Sequence, residues 1–244
     1  MAATAPEIYR KHVTINRNGE TVLYVRALNA IYGIMKAALL FYIKFVKSLL
    51  SIGFQLNPYD PCVANKTVEK LQLTVVWHVD DLKVSHVLTK VVTRMANWLK
   101  KTYEQLFSDR SGKMKINRGK IHEYLGMTLD FSISGEVKIT MTPYICEVIE
   151  DFNKYDPVSN TARTTVADHL FKVRDDAKPI SEKLAQTFHT FVAKSLFATK
   201  RARPEIARAV SFLTTIVIEP AEDNWKKLVR MIRYLNGSPD LPLI

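Results

Sequence analysis

The amino-acid sequence predicts an α+β fold in which antiparallel strands are joined to amphipathic helices. Apolar side chains alternate with other residues from Leu71 to Val79, which is the pattern of a strand with one buried face. Apolar positions recur every three or four residues over 28–51 and again over 89–103, as in helices that pack on a core. The chain has 244 residues, 47% of them hydrophobic, which is enough to bury a substantial core.

The charge balance narrows the classes of function. The chain carries a formal net charge of +11, and basic chains of this kind bind polyanions, chiefly nucleic acid. A basic surface that only confers solubility is the alternative interpretation, and charge alone does not decide between the two.

Cysteine usage and targeting signals point to the cell interior. Cys62 and Cys146 belong to no metal-binding or paired motif, which favours reduced thiols. The first residues lack the charged and then apolar order of a signal peptide. Three lysines interrupt the most apolar run, 31–54, so it is predicted to be a buried amphipathic helix and not a membrane span. We therefore expect an intracellular protein, in the cytoplasm or the nucleus, without a membrane partner.

The chain begins with a polar stretch and a predicted strand at 21–26. A long helix is predicted over 28–51, ending at Gly53. Gly33 inside that helix would cost about 1 kcal/mol relative to Ala. Its presence favours either a helix that starts just after it or a surface that a ligand approaches closely. The stretch that follows, 53–63, is interpreted as a loop.

Two adjacent carboxylates, Asp80 and Asp81, follow the alternating strand that starts at Leu71. Asp is a poor strand former and a good turn residue, so the pair is predicted at the tip of a hairpin. Two carboxylates held this close repel each other unless a cation lies between them, and Mg²⁺ favours such oxygen ligands. A solvated turn is the simpler alternative. Apolar strands on both sides would nevertheless hold the pair on a rigid element, as metal sites require.

An amphipathic helix is predicted at 89–103, followed by a basic loop at 110–120 and a hairpin at 123–141. The loop carries five positive charges in eleven residues. Such a loop suits phosphate contact, and a merely solvated loop is the alternative. In the hairpin, Gly126 is predicted within a strand, where the missing side chain would let a ligand approach the backbone.

The rest of the chain is predicted to be mainly helical. Thr142 is predicted as the N-cap of one helix and Ser181 as the N-cap of the next, with a polar linker at 155–176 between them. Two further helices are predicted from Pro204 and from about Glu222. A cluster of basic residues near these helices could touch a duplex or simply be surface charge; it consists of Lys200, Arg201, Arg203 and Arg208.

Five short segments resemble, in order, sequence boxes of Ty1/copia-type retrotransposon reverse transcriptases. Each box is weak alone, but their order and spacing together are specific, and they cover nearly the whole chain. The segments are Ala30–Tyr42 (like ALYGLKQAPRAWY), Val79–Asp81 (like VDD), Tyr124–Met127 (like YLGM), Ala202–Ile206 (like TRPDI) and Trp225–Gly237 (like HW and RYLKGT). The chain departs from the pattern at Lys36, where the family has Gln, and at His78, where it usually has Tyr.

The resemblance implies a polymerase palm remainder over 1–141, with an antiparallel sheet and packed helices. A thumb-like helix and linker over 142–176 and a mainly helical connection region over 177–244 would follow. The implied activity is RNA-directed DNA polymerisation, in which a primer 3′-hydroxyl attacks the α-phosphate of a dNTP between two Mg²⁺ ions. The implied partners are an RNA or DNA template–primer duplex, a dNTP and other parts of the Pol polyprotein.

The resemblance also implies roles for individual residues. Asp80 would be a metal ligand, and Asp81 would be its neighbour with a supporting role in metal binding and catalysis. The template and nucleotide would be positioned by Tyr32, Gly33 and Lys36. The primer end would be gripped by Tyr124, Leu125, Gly126 and Met127. Phosphate contacts are expected from Lys113, Lys115, Arg118, Lys120, Lys200, Arg201 and Arg203.

One carboxylate of the family's site has no counterpart. The family's palm carries another metal-binding Asp upstream of the first box, in an LDVKTAFL-like segment, and nothing before Ala30 resembles it. We therefore expect impaired Mg²⁺ binding and a truncated copy that is inactive, or nearly so, unless another chain complements it. The alternatives are a non-catalytic nucleic-acid-binding remnant and a partner-binding module whose charge only aids solubility.

Overall fold

The computed structural model describes residues 6–24, 35–104, 114–168, 171–172, 174 and 176–244. The chain forms two compact units, which we call unit 1 (Met1–Arg110) and unit 2 (Ser111–Ile244). Both units combine helices with antiparallel strands. Among the described residues, no helix has both the length and the apolar composition that a membrane crossing needs.

Unit 1 consists of short N-terminal elements, two longer helices and two sheets. Its elements in chain order are α1 (Pro6–Tyr9), a 3-10 helix (Arg10–His12), β1 (Val13–Ile15), β2 (Thr21–Leu23), α2 (Met35–Ser51), β3 (Gln55–Leu56), β4 (Val63–Val68), β5 (Leu71–His78), β6 (Asp81–Ser85) and α3 (Thr89–Tyr103). Strands β1 and β2 pair with each other, and the remaining strands form one sheet in the order β3-β4-β5-β6. Because neighbours in this sheet are consecutive and antiparallel, it is a meander.

The core of unit 1 lies on one face of the four-stranded sheet. Alternation in β5 directs Leu73, Val75 and Trp77 to that face, and all three are buried. The ring of Phe45 in α2 lies with its centroid 5.1 Å from that of Trp77 and 6.0 Å from that of Tyr103 in α3. Helices α2 and α3 therefore share one aromatic core with the sheet.

Most predicted elements of unit 1 are present. The predicted helix at 89–103 is confirmed with the same bounds. The predicted helix at 28–51 is confirmed from Met35 to Ser51, and residues 28–34 lie outside the described residues. The interpretation of 53–63 as a loop is wrong in part, because strand β3 lies within it and pairs with β4.

Unit 2 consists of a small sheet followed by four longer helices. Its elements are β7 (Ile121–Tyr124), β8 (Met127–Asp130), β9 (Lys138–Thr140), α4 (Thr142–Asn153), α5 (Glu182–Thr199), a 3-10 helix (Pro204–Ile206), α6 (Ala207–Thr214) and α7 (Glu222–Asn236). The strands are antiparallel in the order β7-β8-β9. The chain end returns to this sheet, where Leu243 and Ile139 exchange both backbone hydrogen bonds at 2.8 and 2.9 Å.

The helices of unit 2 share a single core. The ring centroid of Phe152 in α4 lies 4.9 Å from that of Phe191 in α5 and 5.5 Å from that of Trp225 in α7. The Trp225 indole also donates a hydrogen bond of 2.9 Å to Asp156, at the start of the predicted linker. The linker is tied again at Ala162, whose N–H donates to a backbone carbonyl of α7.

The division into units differs from the predicted one. The hairpin predicted at 123–141 belongs to unit 2 and not to the unit that carries Asp80 and Asp81. The predicted regions 142–176 and 177–244 are also parts of one unit, because the apolar face of α4 is buried in the same core as the later helices. No separate thumb-like unit is seen among the described residues.

The helix starts of unit 2 follow their sequence signals closely. Ser181 is confirmed as the N-cap of α5, where its hydroxyl accepts from the Leu184 N–H at 3.4 Å. The predicted start at Glu222 is confirmed, and Pro204 opens the 3-10 helix that leads into α6. Thr142 is not the N-cap of α4; it is the first helical residue, and Met141 precedes it without a side-chain cap.

Candidate functional site

The carboxylate pair lies at a hairpin, as the sequence predicts, but its two members occupy different positions. Strands β5 and β6 are joined by the two-residue turn formed by Val79 and Asp80, and His78 pairs with Asp81. Asp80 is therefore in the turn, whereas Asp81 is already the first residue of β6. Val79 adopts φ of 54°, an uncommon conformation for a β-branched residue that stores backbone strain at this turn.

The hairpin has a buried face and a polar face. Trp77 pairs with Leu82 on the core side, so the neighbouring pair of His78 and Asp81 faces the opposite side. Asp80 and Asp81 are both exposed. On this opposite face, the carbonyl oxygen of the Asn65 side chain accepts hydrogen bonds from neighbouring Gln72 and Thr74 side chains at 3.1 and 2.8 Å. The carboxylates are thus presented to solvent at one end of a polar sheet face.

Aromatic side chains on the core side of the sheet form a support under the hairpin. The Trp77 ring centroid lies 5.1 Å from that of Phe45 and 6.3 Å from that of Tyr42. The backbone N–H of Trp77 donates 3.0 Å to the carbonyl of Cys62, and the Tyr42 hydroxyl donates 3.4 Å to the carbonyl of Pro61. Strand β5 is therefore fixed to α2 and to the turn before β4.

The residues that the structure describes do not complete a two-metal site. Within the described parts of the chain, no group of three or more His, Cys, Asp or Glu side chains could hold a metal ion. Two-ion phosphoryl-transfer sites need ligands enough to clamp both attacking and leaving oxygens, and a single exposed carboxylate pair is too small a set. Lys83 lies two residues from Asp81 on the same sheet face, and burial lowers the pKa of its ammonium group. The two carboxylates alone therefore do not fit a pair of Mg²⁺ ions.

The residues expected to position the template and nucleotide are only partly described. Tyr32 and Gly33 lie outside the described residues. Lys36 is the second residue of α2 and is exposed. Phe45 is nine positions further along the helix, so at 100° per residue Lys36 lies on the helix face opposite the core of unit 1.

The segment that resembles a primer grip is a tight turn in unit 2. Tyr124 pairs with Met127, and Leu125 and Gly126 form the turn between β7 and β8 with φ of 53° and 76°. The prediction that Gly126 lies within a strand is therefore wrong. A Cβ atom at Gly126 would lie 3.5 Å from the Phe197 ring, so the turn rests against helix α5.

The basic loop is exposed where it is described. Lys115, Arg118 and Lys120 are exposed, and the Lys120 ammonium donates a long hydrogen bond of 3.4 Å to the carbonyl of Ser132. Lys113 lies outside the described residues. The three described residues keep the exposure that a phosphate contact requires.

The second group of basic residues contains both exposed and buried side chains. Lys200 is exposed and Arg201 is partly exposed, but Arg203 is 0% exposed. The Arg203 guanidinium donates 2.6 Å to the Glu205 carboxylate and 3.0 Å to the Ser238 hydroxyl. The prediction that Arg203 contacts phosphate is therefore contradicted, because its charge is enclosed in the core of unit 2.

The sequence did not indicate the surroundings of Phe197. This ring lies 3.5 Å from the position that a Cβ atom at Gly126 would take, 5.0 Å from the Tyr144 ring between centroids, and its centroid lies 3.5 Å from the Arg201 guanidinium. Phe197 lies in the last turn of α5 and Arg201 follows the end of the helix, so the four-residue spacing that brings side chains together on a helix was the available signal.

Comparison with known proteins finds a similarity to a Pol polyprotein. The chain is similar to the retrovirus-related Pol polyprotein from transposon TNT 1-94 of Nicotiana tabacum, with 25% identity over 229 residues. The alignment covers 90% of this chain and 16% of that relative. No protein-family model matches the chain, and no solved structure matches it significantly. The similarity supports a relationship to a copia-type retrotransposon Pol region, and the chain spans only a small part of the polyprotein that it matches.

Proposed function

We propose that the chain is the reverse-transcriptase region of a copia-type Pol polyprotein and that it binds a template–primer duplex. The observation that carries the proposal is the Asp80-Asp81 hairpin, which presents two exposed carboxylates on a polar sheet face above an aromatic support. Similarity to a Pol polyprotein supports it. The net charge of +11 suits a polyanionic partner.

The chemistry that this chain can perform alone is limited by its carboxylates. In a complete site, Mg²⁺ would neutralise charge on the phosphates of a dNTP. Asp80 and Asp81 would bind metal there, but a further carboxylate would have to come from outside the described residues or from another part of the Pol polyprotein. The residues of this chain would then bind and orient the duplex, chiefly through exposed lysines and arginines.

The second candidate is a non-catalytic nucleic-acid-binding region. The specific observation in its favour is that the described residues offer no third metal ligand near the carboxylate pair. This candidate predicts duplex binding that weakens steeply with salt and does not depend on Asp80.

A primer-extension assay with Mg²⁺ or Mn²⁺, combined with duplex binding across a salt series, separates the candidates. The variants are Asp80→Asn and, as a matched control, Asp60→Asn. Asp60 accepts a hydrogen bond of 2.8 Å from the Cys62 N–H, and an Asn side chain retains that acceptor. We expect salt-dependent binding in all three proteins, and little extension by the chain alone.

The possible outcomes have different meanings. Robust extension that Asp80→Asn abolishes and Asp60→Asn preserves would show a catalytic chain with a complete site. Binding without extension that Mg²⁺ strengthens in the unaltered chain and in Asp60→Asn, but not in Asp80→Asn, would support the reverse-transcriptase region with an incomplete metal site. Binding without extension that is indifferent both to Mg²⁺ and to Asp80→Asn would establish the non-catalytic candidate. Absence of salt-dependent binding to any duplex would overturn both and favour a partner-binding module.

A further inference from the structure

Helix α2 buries one face and exposes apolar side chains on the other. Phe45 and Leu49 are 0% exposed and fix the helix in the core of unit 1. On the opposite face, four large apolar side chains are between 48% and 56% exposed: Leu39, Leu40, Ile43 and Leu50. A single exposed leucine is ordinary, but several large apolar side chains on one side of a helix indicate a surface that another molecule covers.

Two lysines lie among these apolar side chains. At about 100° per residue, six exposed residues of α2 fall within an arc of about 100°. We call them the α2 face: Lys36, Leu39, Leu40, Ile43, Lys47 and Leu50. All of them except Leu39 follow one another at intervals of four and three residues, which is the heptad spacing with which one helix packs along another. The α2 face therefore has the pattern of one half of a helix–helix contact.

The charge of α2 is exclusively positive. The helix contains Lys36, Lys44 and Lys47 and no acidic residue. Among the described residues, none of these three lysines forms an ion pair with a carboxylate. In α3 of the same unit, by contrast, Lys90 and Arg94 both pair with Glu69. A surface complementary to α2 therefore carries carboxylates next to apolar side chains.

The position of Lys47 distinguishes between the possible occupants. Helix α2 of a second copy would bring further lysines and no carboxylate, and like charges brought together weaken association. A lipid surface suits lysines that flank an apolar stripe, but Lys47 lies in line with Ile43 and Leu50, where its ammonium would be drawn toward the hydrocarbon. A partner helix can offer Lys47 a carboxylate at that one position, and a polar residue in a heptad also fixes the register of two helices.

We propose that the α2 face binds an amphipathic helix of a partner protein whose apolar stripe is interrupted and flanked by carboxylates. Leu40, Ile43 and Leu50 pack against the apolar stripe and lose their contact with water. Lys44 and Lys47 form ion pairs with the carboxylates, which set the register and orientation of the two helices. The interaction is independent of the proposed function, because it requires neither a duplex nor a metal ion.

Three synthetic peptides of about three heptads each test the proposal on the full chain. The acidic peptide has Leu at its heptad positions, except for one Glu that meets Lys47, and further Glu residues on both flanks. The basic peptide has Lys in place of every Glu. The scrambled peptide keeps the acidic composition but has no apolar stripe, so it measures the attraction that the net charge of +11 exerts on any acidic peptide.

Binding is measured by fluorescence anisotropy of each labelled peptide at about 50 mM salt, where ion pairs are weakly screened. The acidic peptide is expected to bind about tenfold more tightly than the basic and scrambled peptides, because it alone combines the stripe with the complementary charge.

Lys47→Glu tests the charge of the α2 face. We expect it to weaken binding of the acidic peptide about tenfold and to strengthen binding of the basic peptide, because it reverses the charge at the centre of the contact. Lys101→Glu is the matched control, since it makes the same charge change at an exposed position of α3. It should change the affinity for the acidic peptide less than about twofold.

Ile43→Gln tests the apolar part of the α2 face. It is expected to weaken binding of the acidic peptide about tenfold, because the contact loses a buried apolar side chain. Ile218→Gln is the matched control; Ile218 is 88% exposed and lies outside α2, so its replacement should leave binding unchanged. All four substituted side chains are exposed, and circular dichroism checks that each variant is folded.

The outcomes support or overturn the proposal. Selective binding of the acidic peptide that Lys47→Glu and Ile43→Gln weaken, and that the two controls preserve, would establish the contact. Equal binding of the acidic peptide and either other peptide would overturn it, as would equal effects of Ile43→Gln and Ile218→Gln. If the folded chain does not bind the acidic peptide, the partner helix is wrong. Self-association in sedimentation velocity that Ile43→Gln abolishes would then assign the face to a second copy. Flotation with vesicles of phosphatidylcholine and phosphatidylserine that Ile43→Gln abolishes would assign it to a lipid surface.

Discussion

Arg203 and Arg201 are two residues apart and differ in burial and in charge pairing. Arg203 is completely buried, with its Nε 2.6 Å from the Glu205 carboxylate and its Nη1 left without a hydrogen-bond partner. Arg201 is partly exposed and has no carboxylate partner among the described residues. A buried cation depends on its counter-charge, since removing one partner of such a pair leaves an uncompensated charge in the interior.

Glu205→Gln is therefore expected to destabilise the chain by about 3 kcal/mol, because Arg203 stays buried without a full counter-charge. Arg203→Met should cost less, about 1–2 kcal/mol, because Glu205 is 28% exposed and can be hydrated when it is left alone. Urea unfolding followed by circular dichroism measures both. If Arg203→Met proves the more destabilising variant, the charge argument is wrong and packing dominates.

The Arg203→Met variant also tests whether Arg203 contacts phosphate. Because Arg203 cannot reach a phosphate, folded Arg203→Met should bind duplex with the salt slope of the unaltered chain. The burial of Arg203 could not be predicted from the sequence, where it stands in a basic run like its neighbours. It depends on Glu205 and on Ser238, which lies 35 residues away in the chain.

At the scale of elements, helices α4 and α5 are joined by an ion pair whose contribution to stability depends on pH. Hydrogen bonds from Lys154, in the residue after α4, and from Lys194 of α5 lower the pKa of Asp151 from 3.8 to about 2. A carboxyl group whose pKa is lower in the folded state stabilises that state at pH values above its unfolded pKa. This stabilisation is lost as the pH falls through the folded pKa.

The unaltered chain should therefore lose stability between about pH 4 and pH 2, and Asp151→Asn should reduce that loss. Glu147→Gln, on the same helix and exposed, is the control and should keep the loss. Urea midpoints measured at a series of pH values provide the comparison. Identical pH profiles for Asp151→Asn and the unaltered chain would contradict the assignment.

Elements were predictable from the sequence where several local signals agreed. The start of α5 combines a capping Ser181 with an apolar period, and α3 has an uninterrupted stripe, so both were located correctly. Strand β4 was not predicted from the sequence. The turn that connects it to β5, Glu69–Lys70, contains neither Gly nor Asn, which usually indicate a hairpin turn, although both of its residues have positive φ. The turn at Gly126 was missed because the apolar alternation of Leu125 and Met127 continues across it.

At the scale of the whole molecule, charge and the carboxylate hairpin were predictable, but the division into units was not. The sequence predicts a boundary within 155–176 because that stretch is polar. In the structure, two hydrogen bonds join this stretch to α7. The Trp225 indole donates 2.9 Å to the Asp156 carboxylate, and the Lys227 ammonium donates 2.6 Å to the Lys172 carbonyl. Polarity indicates exposure to solvent, but it does not show which helices share a core.

Two fragments test this division. Residues 111–244 should fold cooperatively, because α4 contributes Ile145, Val148 and Phe152 to the core that α5 to α7 complete. Residues 177–244 alone should fail to fold, since losing one buried Phe side chain already costs about 3–5 kcal/mol, close to the stability of a small domain. Thermal unfolding by circular dichroism, together with the fluorescence of Trp225, measures both fragments. A cooperative transition in 177–244 at the midpoint of 111–244 would show that the later helices form a separate domain, as the sequence alone predicts.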